Sequence, residues 1–178
     1  YISDEVTTPG MRILKSLALV LAVSSATLYS AHSAVVLNEV MANNRSAVRN
    51  GGQYPDWVEI YNPGPGTASL SGMTLTDNLS SPAKFVFPTP TSLGAGEYLI
   101  VWCDSQTAAG EFHTGFSFSS TGEEVGLFSP TGTKIDSIQF GIQPSDFSIG
   151  RGPNGTGSWA LTAPTPAATA AAMPISSS

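Results

Sequence analysis

The stretch Asp56-Trp57-Val58-Glu59-Ile60-Tyr61-Asn62-Pro63-Gly64 decides the fold. Its first six residues alternate. Val58 and Ile60 fall on one side of an extended chain, and Trp57, Glu59 and Tyr61 on the other. β-Branched and aromatic residues suit a pleated strand. Asn62-Pro63-Gly64 then ends it, because proline fixes φ and glycine accepts positive φ. The pattern predicts a strand that turns Val58 and Ile60 toward a core and leaves Trp57, Glu59 and Tyr61 at least partly wet.

The same grammar repeats on both sides. Val35–Met41 reads as a first strand, followed by a polar loop from Asn43 to Gln53. Leu70-Ser71-Gly72-Met73-Thr74-Leu75-Thr76-Asp77-Asn78 is a short strand broken at Ser71-Gly72. Lys84-Phe85-Val86-Phe87 is brief and stopped by Pro88. Glu97–Trp102 is apolar on both faces, which predicts a central position in its sheet. Phe112 to Phe118 carries three phenylalanines. Glu124–Phe128 and Lys134–Phe140 flank Ser129-Pro130-Thr131-Gly132-Thr133 as a hairpin. Ile135 and Ile138 differ in parity, so a bulge or a change of face is expected between them. Phe147–Arg151 is a last strand, and Trp159-Ala160-Leu161 docks the end of the domain.

Composition agrees. Charged residues make up 11% of the 178, against 18 glycines and 13 prolines, so helix formers are scarce and turn formers abundant. From residue 35 onward five basic side chains face eleven acidic ones, a net charge of −6. Such a surface repels phosphate, and the bases are scattered in sequence, which argues against nucleic acid as a partner. With a single cysteine, Cys103, there is no intrachain disulfide, so the expected fold rests on an apolar core alone. Cys103 reads as a half-buried thiol at a strand end, with intermolecular pairing as the other reading.

Residues 11–34 read as a secretory signal. A basic Met11–Lys15 segment precedes the short apolar run Leu17–Val23, and small residues around Ser33 and Ala34 offer a cleavage site. The run falls short of the roughly 20 residues a bilayer requires. Residues 1–10 read as an upstream extension without structural role, 35–163 as one domain, and 164–178 as a mobile Ala/Thr/Pro/Ser tail or linker. The mature protein is thus expected outside the cell or in its envelope, without membrane insertion.

Candidate chemistry is thin. His113 is the only histidine after residue 34 and cannot complete a zinc site with one cysteine. A Cys103–His113 dyad is conceivable but unmotivated. No Gly-x-Ser-x-Gly elbow occurs there. Glu39, Asp56, Glu59 and Asp77 sit at or near strand ends and read first as solvated or edge charges; as a set of oxygen ligands at loop ends they are also weak candidates for calcium. Trp57 and Tyr61 share a face and read either as an aromatic platform for sugar or peptide or as packing against a neighbouring loop.

The ordered motifs Asn38-Glu39-Val40, Asp56–Gly64, Leu70-Ser71-Gly72 with Leu75-Thr76-Asp77, Gly96–Trp102, Gly126–Gly132, Ser148–Arg151 and Pro164-Thr165-Pro166 resemble bacterial lamin-tail domains. That resemblance covers about residues 35–168. It implies an all-β, immunoglobulin-like sandwich acting as a recognition module on exported proteins, and it brings no catalytic residues or cofactor. The expected function is therefore a non-catalytic module for a protein or cell-surface partner. The alternative is a calcium-stabilised or glycan-binding accessory module of a larger hydrolase.

Overall fold

The computed structural model describes residues 35–167, and the signal segment falls outside them. Eleven strands and one three-residue 3-10 turn (Thr107–Ala109) make up the regular structure. The longer strands are β1 (Val36–Met41), β2 (Asp56–Tyr61), β7 (Tyr98–Cys103), β8 (Glu123–Phe128), β9 (Lys134–Phe140), β10 (Ser148–Gly152) and β11 (Ser158–Thr162). Short β3 (Ala68–Ser69), β4 (Thr74–Thr76), β5 (Phe85–Val86) and β6 (Ser92–Leu93) lie between β2 and β7. One sheet has the order β11-β10-β1-β2-β7 and the other β5-β4-β8-β9, with β3-β6 as a separate pair. All pairings between strands are antiparallel. This is an immunoglobulin-like β-sandwich.

The core fills the space between the sheets. Leu37, Val40, Val58, Ile60 and Val101 meet Leu75, Val125, Leu127, Ile138 and Phe140 there. Val58 and Ile60 are wholly buried, as their alternation predicts. Leu37 and Val40 differ in parity, yet both reach the core. The reason is a bulge: Leu37 pairs with Ile60 and Glu39 with Glu59, leaving Asn38 as the extra residue. A second bulge leaves Ile135 unpaired in the β8–β9 hairpin, which settles the parity conflict between Ile135 and Ile138.

Four expectations need correction. β7 is the edge strand of its sheet, and β1 is the central one. A continuous apolar run looks central, but here the outer backbone edge of β7 is covered by a loop. Trp102 N donates to Phe112 O at 2.8 Å, and Thr114 N donates to Trp102 O at 3.0 Å. Residues 158–162 are a full strand, paired with β10 along their length. The outer side of β2 is not wet: Trp57 and Glu59 are both 0% exposed. Nor is the tail free from residue 164 onward, because Thr165 and Ala167 are tied to two glutamates. The interior is accordingly not held by apolar contacts alone.

Candidate functional site

Glu39 and Glu59 stand directly opposite each other on β1 and β2, both fully buried. Glu39 Oε1 accepts from Ser148 Oγ at 2.5 Å and from Thr165 N at 3.0 Å, and Oε2 accepts from Thr165 Oγ1 at 2.9 Å. Glu59 Oε1 accepts from Asn38 Nδ2 at 2.8 Å and Oε2 from Ala167 N at 2.6 Å. Asn38 Oδ1 in turn accepts from Gly155 N at 2.9 Å. The Asn38 bulge brings two adjacent polar side chains into this one network. Burial raises the Glu39 carboxyl above its ordinary range and pushes Glu59 up to about 7, against the pull of its hydrogen-bond donors. The arrangement binds the end of the domain to the sheet. Every acceptor here is already engaged, which suits a structural closure better than an open site.

The other acids lie elsewhere. Asp56 opens β2, and its Oδ1 accepts from Asn44 N at 3.1 Å. Burial pushes its carboxyl up to about 6. Asp77 pairs with Lys84 Nζ at 2.5 Å. The four expected calcium candidates therefore divide among three separate places. Among the described residues no group of three or more His, Cys, Asp or Glu side chains is arranged to hold a metal ion. The Trp57–Tyr61 platform is likewise not assembled. Trp57 is enclosed, and half-buried Tyr61 packs on Tyr98 with ring centroids 4.8 Å apart.

At the Asp56 end of the sandwich a pocket of about 360 Å³ opens between the 42–45, 54–56 and 103–120 segments. Cys103 lines it, yet the side chain is only 1% exposed, and its Sγ donates to Val101 O at 3.7 Å. Burial pushes this thiol well above its ordinary range, so it is not a thiolate nucleophile. His113 does not face it. Nε2 accepts from Asn50 Nδ2 at 3.3 Å, which puts the ring proton on Nδ1, 2.8 Å from Asp104 Oδ1. The histidine clips two loops together and the Cys103–His113 dyad does not form.

On the side where β9 and β11 end their sheets, an uncharged groove of about 500 Å³ runs between Ile138–Pro144 and Ile149, Trp159 and Leu161. Ile142 is 80% exposed and Leu161 43%. Outside its lining, Arg151 stacks on Trp159 at 4.4 Å and donates from Nη2 to Asp136 at 3.0 and 3.1 Å, joining β10 to β9. Sequence reasoning missed this groove. Its one visible sign is Ile142, a large apolar residue set in the turn-forming run Gly141-Ile142-Gln143-Pro144.

A family model described as Lamin Tail Domain matches residues 29–141. The chain belongs to the lamin tail domain family. The match ends after β9; β10 and β11 extend the sheet of β1, β2 and β7 in this lamin tail domain, and Thr165 and Ala167 close onto it. No curated protein matches the chain. The family is immunoglobulin-like, generally non-catalytic, and typically an interaction module. Among the described residues no helix is long and apolar enough to cross a membrane.

Proposed function

We propose that this lamin tail domain is an exported, non-catalytic interaction module for a protein or cell-surface partner. The observation that carries this reading is the uncharged groove, with Ile142 and Leu161 held out to solvent on a chain of net charge −6. A cluster of exposed apolar side chains on an acidic surface marks a contact site more often than an accident. Because β9 and β11 are the outermost strands beside it, the partner surface that fits is an extended polypeptide segment, laid along a strand edge with its apolar side chains in the groove. The state of the thiol and the histidine argues against a catalytic role: the thiol is buried and protonated, and the histidine is engaged by Asn50 and Asp104.

The test is retention of partners on immobilised protein, with the parent and an Ile142→Asp/Leu161→Asp variant compared side by side. A partner held by the parent and lost by the variant, with the melting temperature unmoved, is the expected result. The same partners on both, or none on either, would sink the reading. The calcium-stabilised or glycan-binding alternative has less support, since the acids are dispersed and Trp57 is enclosed. A melting temperature indifferent to calcium and chelator is the expected outcome, because binding to the native state must raise stability.

A further inference from the structure

We infer that β11 pairs edge to edge with β11 of a second copy of this chain, antiparallel and about a two-fold axis at Ala160. This rests on the groove being a contact face and names the strand that fills it. The two larger sheets end on four strands, β11, β7, β5 and β9. An outermost strand presents unpaired N–H and C=O groups, and another chain can pair with them unless something blunts the edge. Three of the four are blunted. The 112–114 loop covers β7. β5 is two residues long, and Pro88 follows it closely. β9 carries Lys134 and Asp136 and is bulged at Ile135. β11 has none of these devices. Ser158-Trp159-Ala160-Leu161-Thr162 contains no charge, proline or glycine, and it pairs with β10 without a register shift. Among the described residues no loop hydrogen-bonds residues 158–161, and Ser158, Ala160 and Leu161 are exposed.

The occupant follows from the strand's own sequence. In a closed dimer of identical chains, residue i meets residue j and j meets i. With the axis at Ala160, Trp159 lies opposite Leu161 of the other copy, Ser158 opposite Thr162, and Ala160 opposite itself. Aromatic meets aliphatic and hydroxyl meets hydroxyl, the kinds of cross-strand pair that stabilise a sheet. Moving the axis by one residue breaks this match. At Trp159 it would set Leu161 against Gly157, and at Leu161 it would set Trp159 against Ala163. Charge agrees as well. The chain is acidic, yet no like charges face each other across this seam, and Arg151, opposite Trp159 on β10, is already paired with Asp136. Trp159 and Leu161 share a face and line the groove, so the two grooves meet across the seam. Five strands from each copy make one sheet of ten. A partner strand competes for the same edge, so the dimer is the form the chain takes without its partner.

The experiment is sedimentation equilibrium of the full chain over a concentration series, with Ala160→Lys beside it, and oxidative cross-linking of Ala160→Cys and Ser158→Cys by copper phenanthroline. The parent should pass from monomer to dimer as concentration rises. Ala160→Lys sets two ammonium groups face to face at an exposed position and should weaken the dimer about tenfold or more, with the far-ultraviolet spectrum unchanged. Opposite residues of antiparallel strands have Cα atoms about 4.5–5.5 Å apart, within disulfide reach, so Ala160→Cys should cross-link. Residue 158 faces 162, so its two copies stand roughly 13 Å apart along the seam and Ser158→Cys should not cross-link. Cys103 is 1% exposed and does not compete. A parent that is monomeric throughout, an Ala160→Lys variant that dimerises like the parent, or equal cross-linking from both cysteines would each overturn the inference. Should Ala160→Lys fail to fold, the two cysteines still decide. A monomeric chain that holds a partner through Ile142 and Leu161 would overturn this inference and leave the groove reading standing; a dimer that holds no other partner would do the reverse.

Discussion

Glu59 and Asp56 give this domain a pH signature opposite to the usual one. Most folded carboxylates are lowered and lose their contribution in acid. Here burial raises Glu59 from an ordinary 4.5 to about 7 and Asp56 from 3.8 to about 6. The folded state therefore binds more protons than the unfolded one in that window, and stability falls as pH rises through it. Asp146 works the other way. Donors from Ser46, Arg45 and Ala47 lower it to about 2, and its contribution is lost only as pH falls from 3.8 toward 2. Urea denaturation should show the chain less stable at pH 8 than at pH 5, by on the order of 2 kcal/mol. Glu59→Gln should flatten the difference. A chain that gains stability between those pH values would contradict the assignment. Gly157 sets a second limit at this scale. A Cβ there would lie 2.2 Å from the backbone carbon of Gly152, and backbone cannot step aside. Gly157→Ala should cost about 3 kcal/mol or more, read from the same denaturation curves.

At the scale of elements, the closure by Thr165 and Ala167 changes where the domain ends. Composition alone predicts a loose tail from residue 164, since Pro164-Thr165-Pro166 has nothing apolar to bury. The tether is polar and is supplied by the sheet: two buried glutamates on neighbouring strands need donors, and the returning chain provides three of them. That need was invisible in the sequence because Glu39 and Glu59 alternate like ordinary outward residues. Only the Asn38 bulge and the pairing register place them opposite each other. Thr165→Val removes the hydroxyl donor to Glu39 and should cost about 1–2 kcal/mol, while leaving the far-ultraviolet spectrum unchanged. A silent variant would mean that the segment does not close the sheet. By contrast β2, the β8–β9 hairpin and its bulge were legible, because alternation and turn chemistry are local. The edge position of β7 was not, since a loop far along the chain covers its backbone.

For the molecule as a whole, the sandwich makes a plain demand on its two faces. Val58 is wholly buried between the sheets, so Val58→Asp should prevent folding, at a cost of several kcal/mol for an unpaired buried carboxylate. Leu99 is only partly buried on the edge strand, and Leu99→Asp should destabilise less. Glu111→Ala, at an exposed position, should be nearly silent. The family and the architecture could be read from ordered motifs. The groove could not, because Ile142 and Leu161 lie far apart in sequence and neither belongs to a periodic pattern. A photo-crosslinking residue placed in turn at Leu161 and at Glu111, with the protein expressed in its own cells and every fraction from cytosol to medium collected, tests the interaction reading most directly. The account predicts a discrete cross-linked partner from position 161 and none from position 111; the same products from both positions, or none from 161, would contradict it.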